Sequence, residues 1–253
     1  TTTPLPTRIS DADVPMILVP AGAFTMGSEQ GLPDERPAHT VLLRDFYIDL
    51  FEVTNARYGA CVEAGRCATP VSLRSKTHAT YFQGGGFDDY PVIYVTWQMA
   101  QDYCAWRGAS AGSGKTRLPT EAEWEKAARG PTIGSGGDER TFPWGEGAYC
   151  TVANYCLEDT AAVGRYENGK SFYGLYDMAG NVAEWVADWY DKTYYNVSPP
   201  ENPPGPVNGS QKVVRGGSFD DHSYTDLQAY HRISLQPEKA TFYLGFRCAK
   251  DVP

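Results

Sequence analysis

The sequence predicts an α+β domain, and three observations lead there. Segments of helical period are confined to residues 52–129. Strand and turn signals dominate after residue 130. The two kinds of element mix without the strict β-α-β rhythm of a doubly wound sheet. With 26 Gly, 18 Pro and 21% charged residues among 253, the balance is globular, rich in turns and poor in long helix. Such a length builds one large domain or two small ones. No internal repeat and no long linker divides it, so a single domain is expected over residues 15–253, behind a linker over 1–14.

The elements follow in order. Met16–Gly27 reads as a hairpin, an apolar strand, a Pro/Ala/Gly turn and a second short strand. Glu29–Pro37 is a loop punctuated by Pro33 and Pro37, and His39–Asp49 alternates as a strand. A helix begins near Glu52, capped by Thr54 or Asn55, and runs to about Ala64, where Cys61–Cys67 would staple its end. Residues 69–90 form a loop with a Gly84–Gly86 hinge, and Pro91–Val95 is a strand. Thr96–Trp106 carries apolar residues at helical spacing, with Thr96 as N-cap. Arg117–Arg129 is a further helix, its start marked by the Thr120/Glu123 capping box. Glu121 and Glu123 suit the positive end of its dipole. Loops occupy 131–140 and 196–210.

Composition excludes some functions. The net charge of −9 repels phosphate backbones, so no nucleic-acid partner is expected. No apolar run approaches the ~20 residues of a membrane helix, and the longest, around Met16–Pro20, has strand length. Thr1–Thr7 lacks the basic and apolar regions of a signal peptide, and the domain is expected to be one module of a longer chain. The six cysteines lack Cys-x2-Cys spacing, and none of the four histidines stands at metal-finger spacing from them, so zinc is not expected. Three disulfides are favoured over free thiols. They lean the localisation towards an oxidising, extracytoplasmic compartment.

Several motifs have bland competitors. Gly108–Thr116 imitates a phosphate loop, but Ala109 stands where the first glycine is needed and the segment follows a helix, so a plain loop is expected. In Gly174–Trp185, Asp177 and Glu184 flank a Gly-Asn turn. Two carboxylates with inward carbonyls suit Ca²⁺, and an ordinary Asx turn suits the spacing equally. The six tryptophans read as core, and Glu121/Glu123 as helix capping rather than acid/base catalysis. No Ser/His/Asp or Cys/His arrangement stands out.

Several segments together resemble the formylglycine-generating-enzyme (sulfatase-modifying factor) family. They are Val19–Gly27, Glu35–Pro37, Glu52–Asn55, Pro91–Trp97, Arg117–Glu125, Phe142–Gly145, Gly174–Trp185, Arg215–Ser218 and Gly245–Cys248, all in the family's order. The resemblance implies a single domain of C-type lectin topology. It implies structural calcium on Asp177, Glu184 and the carbonyls of Gly180 and Val182, with Asn154 as candidate for a second site. It also implies a Cys104–Cys248 bridge, worth roughly 5 kcal/mol in the chain-entropy model, which leaves Cys61–Cys67 and Cys150–Cys156 as local staples.

The chain departs from the family at one place. Catalytic members carry a pair of copper-binding cysteines between the frames at 214–219 and 244–248. Here Asp220–Tyr243 contains none and offers Asp220, Asp221, His222, Tyr224 and Asp226 instead. Copper(I) needs soft thiolates, so no copper and no formylglycine generation are expected. The chain is read as a binding module for a protein or small-molecule ligand, not an enzyme. Its surface is placed at Phe219, Asp220, Asp221, His222, Tyr224, Asp226, Tyr230, His231, Phe242 and Tyr243. A related branch of the fold forms the variable proteins of diversity-generating retroelements, mutated at Asn codons. Asp, His, Ser, Tyr and Thr each lie one base from AAC. The alternative is a metal-dependent oxidoreductase or tailoring enzyme of a non-copper subgroup, with metal at His222, His231 and nearby acids.

Overall fold

The computed structural model describes residues 7–112, 115–132, 140–221 and 223–252. Strands β1 (Arg8–Asp11) and β2 (Val14–Val19) pair antiparallel. Ala12 and Asp13, both at positive φ, make the tight two-residue turn that matches strand twist. Part of the segment expected as a linker over 1–14 is therefore sheet. The reason is Asp11, a buried carboxylate that binds Arg107, Thr116 and Lys250.

The expected Met16–Gly27 hairpin does not form. β3 (Gly22–Met26) pairs with β4 (His39–Leu43), while β2 pairs with β5 (Phe46–Asp49). Lys126 Nζ donates to the Pro20 and Gly22 carbonyls and draws the connection onto a helix, away from the first sheet. The expected strand over 39–49 is likewise split at Arg44–Asp45, where Asp45 Oδ1 accepts from Ala21 N.

The helices start where their caps predict. Thr54 caps α1 (Asn55–Glu63), Thr96 caps α2 (Trp97–Ala111) and Thr120 caps α3 (Glu121–Arg129) with the Glu123 capping box. α2 runs past Trp106 and ends on left-handed Gly112, so Gly108–Ala111, expected as plain loop, are helix, and Ser113 and Gly114 lie outside the described residues. Pro91–Val95 is buried but not a strand. Val92 N reaches Val53 O, Tyr94 N reaches Thr241 O, and Tyr94 sits at positive φ, so no single ladder forms.

The remaining strands are β6 (Thr116–Arg117), β7 (Ala183–Trp189), β8 (Lys212–Arg215), β9 (Arg232–Leu235), β10 (Leu244–Phe246) and β11 (Ala249–Asp251). One sheet has the order β1-β2-β5-β11-β6, a second β10-β7-β8-β9, and β3-β4 stand as a pair. All nine residues of α3 are buried. Its charges are matched across the core: Glu121 takes both ends of the Arg232 guanidinium at 2.8 and 2.7 Å, and Glu125 pairs with Arg129 and Arg215. The sequence reading of Glu121 as a dipole partner missed this role.

Cys61–Cys67, Cys104–Cys248 and Cys150–Cys156 are bridged, and no cysteine is free. Cys104–Cys248 ties α2 to the chain between β10 and β11, and so holds the end of the frame that closes residues 219–243.

Candidate functional site

After β8 the chain must turn back under its own following segment. Gly216 and Gly217 permit this at positive φ, and a Cβ on Gly217 would stand 2.7 Å from the Asp226 carbonyl. Ser218 donates its N–H and hydroxyl to Asp221 Oδ2 at 2.6 and 3.1 Å. Ser223 caps a 3-10 turn over Tyr224–Leu227, and buried Leu227 and Ala229 anchor the path into β9.

These turns bring Asp221, Asp226 and His231 to the wall of one cavity of about 330 Å³, completed by Val214, Gly216, Gly217 and Ile233. A second cavity of about 390 Å³ shares Asp226 and His231 and continues along Gln30, Leu32, Glu35, Arg36 and Gln228. His231 Nδ1 lies 2.8 Å from Glu35 Oε1, and its Nε2 lies 3.8 Å from Asp226 Oδ1. Burial pushes Glu35 up, but hydrogen bonds from His231 and Leu32 N outweigh it and hold the carboxyl below its usual range. Burial raises Asp221 against its Ser218 bonds, with the Asp226 charge adding to the rise.

The expected ligand surface is reduced by burial. Phe219 and Tyr230 are 2% and 6% exposed and belong to the scaffold rather than the surface, because aromatic area is better packed than wetted. Phe242 and Tyr243 are half-buried. Phe242 packs on Phe219 at 6.1 Å, and the Tyr243 carbonyl accepts from Ala183 N. Asp220 pairs with Lys76, whose ammonium lies over the Phe219 and Phe242 rings. Tyr224 is 61% exposed. His222 lies outside the described residues. Sequence reasoning missed Glu35, Lys76 and Ile233. Only a His facing an acidic partner hinted at the first, and nothing in the order of residues brings them together.

The expected calcium ligands share one turn. Asp177 sits at positive φ with Oδ2 accepting from Gly164 N at 2.7 Å. Gly180, also at positive φ, closes on Asn154, whose carbonyl would be 2.6 Å from an added Cβ. Glu184 does not stand open: Arg247 Nε and Nη2 and Trp124 Nε1 donate to its oxygens at 2.6–2.9 Å. Glu52, fully buried, accepts from Val182 N and Asn181 Nδ2. Burial, then the charges of Asp177 and Glu184, push it well above its ordinary range. Burial also pushes Asp177 up to about 6. Three buried carboxylates thus face one guanidinium, and Asn154 Oδ1 is buried without a hydrogen-bond partner. By donor chemistry Asp177 suits the first expected cation site and the unpartnered Asn154 Oδ1 the second, whereas Glu184 fits only by sharing with Arg247. Among the described residues no three His, Cys, Asp or Glu side chains are grouped to hold a metal.

The frame, the three helices and the bridges define an α+β fold of the formylglycine-generating-enzyme type, a variant of C-type lectin topology. Residues 5–252 match the Sulfatase-modifying factor enzyme 1-like domain, and the chain belongs to that family. It is 37% identical to the serine/threonine-protein kinase pkn1 of Chlamydia pneumoniae over 251 residues, covering 94% of this chain but 38% of that protein. The chain therefore spans well under half the length of these relatives. Against the formylglycine-generating enzyme of Streptomyces coelicolor it is 35% identical, covering 93% and 88% of the two chains. Among solved structures, PvdO from Pseudomonas aeruginosa superposes with a TM-score of 0.81 at 27% identity, covering 97% of this chain and 98% of that one. Treponema denticola variable protein 1 shares the fold with a TM-score of 0.76 at 24% identity, covering 98% and 99%.

Proposed function

We propose that the chain is a recognition module that binds a protein or small-molecule ligand at the Asp226–His231 cleft and its rim, and that it does not generate formylglycine. One observation carries this reading. All six cysteines are bridged and none lies between Phe219 and Tyr243. The thiolate pair that would bind copper(I) is therefore missing. What the stretch presents instead is acids, a histidine and the exposed Tyr224, a mix suited to a contact surface. The module is proposed to work within a longer protein, and the three disulfides are compatible with an extracytoplasmic setting. No described helix is long and apolar enough to cross a membrane.

Incubation with a cysteine-containing peptide, copper(I) and oxygen tests the exclusion. The peptide should remain intact by mass spectrometry, and its conversion to an aldehyde would overturn the reading. Stoichiometric iron held through His231 in the purified protein would favour the non-copper enzyme instead. We also propose that the stretch is diversified from Asn codons. A reverse-transcriptase gene and a near-repeat of codons 215–247 at the locus would support this, and their absence would remove it. Calcium is proposed as a structural ion at Asp177 and the Gly180 and Val182 carbonyls, where it would offset buried negative charge.

A further inference from the structure

We infer that the Cys150–Cys156 bridge is a site of reversible thiol–disulfide exchange with a dithiol protein, and that opening it loosens the root of the 219–243 stretch. Such a site adds to the recognition reading and does not depend on it. The three bridges differ in access. Cys104 and Cys248 are wholly buried, and Cys61 is wholly buried beside a partly buried Cys67. Cys150 and Cys156 are both exposed. Exchange needs a thiolate to reach a bridging sulfur, so access orders the rates. Each exposed cysteine also has an exposed apolar neighbour in the chain, Tyr149 at 62% and Leu157 at 40%. The Tyr149 ring is folded back over Gly147, where a Cβ would stand 2.8 Å from it. Two large apolar side chains flanking a reachable disulfide form a platform for the surface around a partner's dithiol. A small thiol would need the sulfur alone.

The exchange runs in two steps. A thiolate of the partner attacks one bridging sulfur, the S–S bond breaks, and the other sulfur leaves as a thiolate that takes up a proton. The partner's second thiol, once deprotonated, attacks the mixed disulfide and releases the remaining cysteine. Two electrons and two protons pass in all, so the partner ends as a disulfide and Cys150 and Cys156 as thiols. The consequence lies inside the loop that the bridge closes. Asn154 is buried there. Its carbonyl accepts from Asn181 N at 2.8 Å, and its Nδ2 donates to Asn181 Oδ1 at 3.1 Å and to the Asp159 carbonyl at 3.0 Å. Asn181 stands at positive φ, and its own carbonyl accepts from Phe219 N at 3.0 Å, where the stretch begins. The bridge thus holds Asn154, Asn154 holds Asn181, and Asn181 holds Phe219. Without the closure, local opening of the loop gains in population and Asn181 loses its support.

The test is timed reduction of the native protein by dithiothreitol and by a reduced Cys-x2-Cys dithiol protein, followed by alkylation and mass mapping. Cys150 and Cys156 should be labelled about tenfold faster than Cys61 and Cys67, with Cys104 and Cys248 unlabelled until the protein unfolds. The exposed double variant Y149S/L157S, checked by thermal melts, should slow the dithiol protein about fivefold and leave the dithiothreitol rate unchanged. Hydrogen exchange on C150A/C156A reads the consequence. The Asn181 and Phe219 amides should exchange about tenfold faster than in the wild type, with the β2 and β5 amides unmoved. Equal labelling of the three bridges, or earlier labelling of Cys61 and Cys67, would overturn the exchange site. An unchanged rate with the dithiol protein in Y149S/L157S would overturn the protein partner. Unaltered exchange at Asn181 and Phe219, or loss of the cooperative melt in C150A/C156A, would overturn the local coupling.

Discussion

Replacing Cys104 and Cys248 together by alanine should cost more stability than any other bridge removal, and the amount follows from where the bridge sits. It joins residues 144 apart in sequence, whereas Cys61–Cys67 closes a separation of 6. In the chain-entropy model the long loop restrains the unfolded chain by ~5 kcal/mol and the short one by about 2.3 kcal/mol. Both Cys104 and Cys248 are wholly buried, so a small packing loss adds to the first figure. The pair also ties α2 to the segment that follows β10, so its loss should loosen the closing frame of the candidate site. Equilibrium urea unfolding under oxidising conditions measures this, with C61A/C67A as the internal reference. C104A/C248A should lose about twice as much as C61A/C67A. Equal losses, or a larger loss from the short bridge, would refute the loop-length reasoning.

Further expectations follow from the buried charges. Asp188 accepts from Glu121 N at the start of α3, and burial followed by the Glu121 charge lifts it from 3.8 to about 7. A carboxyl raised in the folded state binds its proton more tightly there than when unfolded. Stability should therefore rise as pH falls from 8 through 7 and on towards 4. The penalty at pH 8 is up to ~4 kcal/mol. Melts across pH 6–8 should show this slope, reduced in D188N; an unchanged slope would count against it, since Asp177 contributes below about 6 and raised Glu52 is a background common to both proteins. E121Q should destabilise by roughly 3–5 kcal/mol in chemical denaturation, because it strips charge from the bidentate partner of buried Arg232. Calcium should raise the melting temperature of the wild type relative to EDTA and leave D177N unmoved, and no difference would remove the ion from the account.

The helices were legible because their signals are local. Thr54, Thr96 and Thr120 each meet a backbone N–H three residues on, and the sequence carries both partners within one turn. Strand pairing was not legible. Whether Val14–Val19 meets Gly22–Met26 or Phe46–Asp49 depends on Lys126, more than a hundred residues away, drawing the Pro20 turn aside. The candidate site divides along the same line. Asp221, Asp226 and His231 stood out as polar residues in an unusual stretch. Glu35 did not, since it meets His231 across 196 positions. Phe219 and Tyr230 misled because an aromatic in a polar segment reads as surface until the core it fills is known.

The central claim is that residues around the cleft recognise a partner, and selection from a random peptide-display library tests it most directly. The wild type should enrich peptides that lose at least tenfold in affinity for a Y224A/D226N double variant of unchanged melting temperature. Failure to enrich any peptide, or peptides that bind the double variant equally well, would contradict the account.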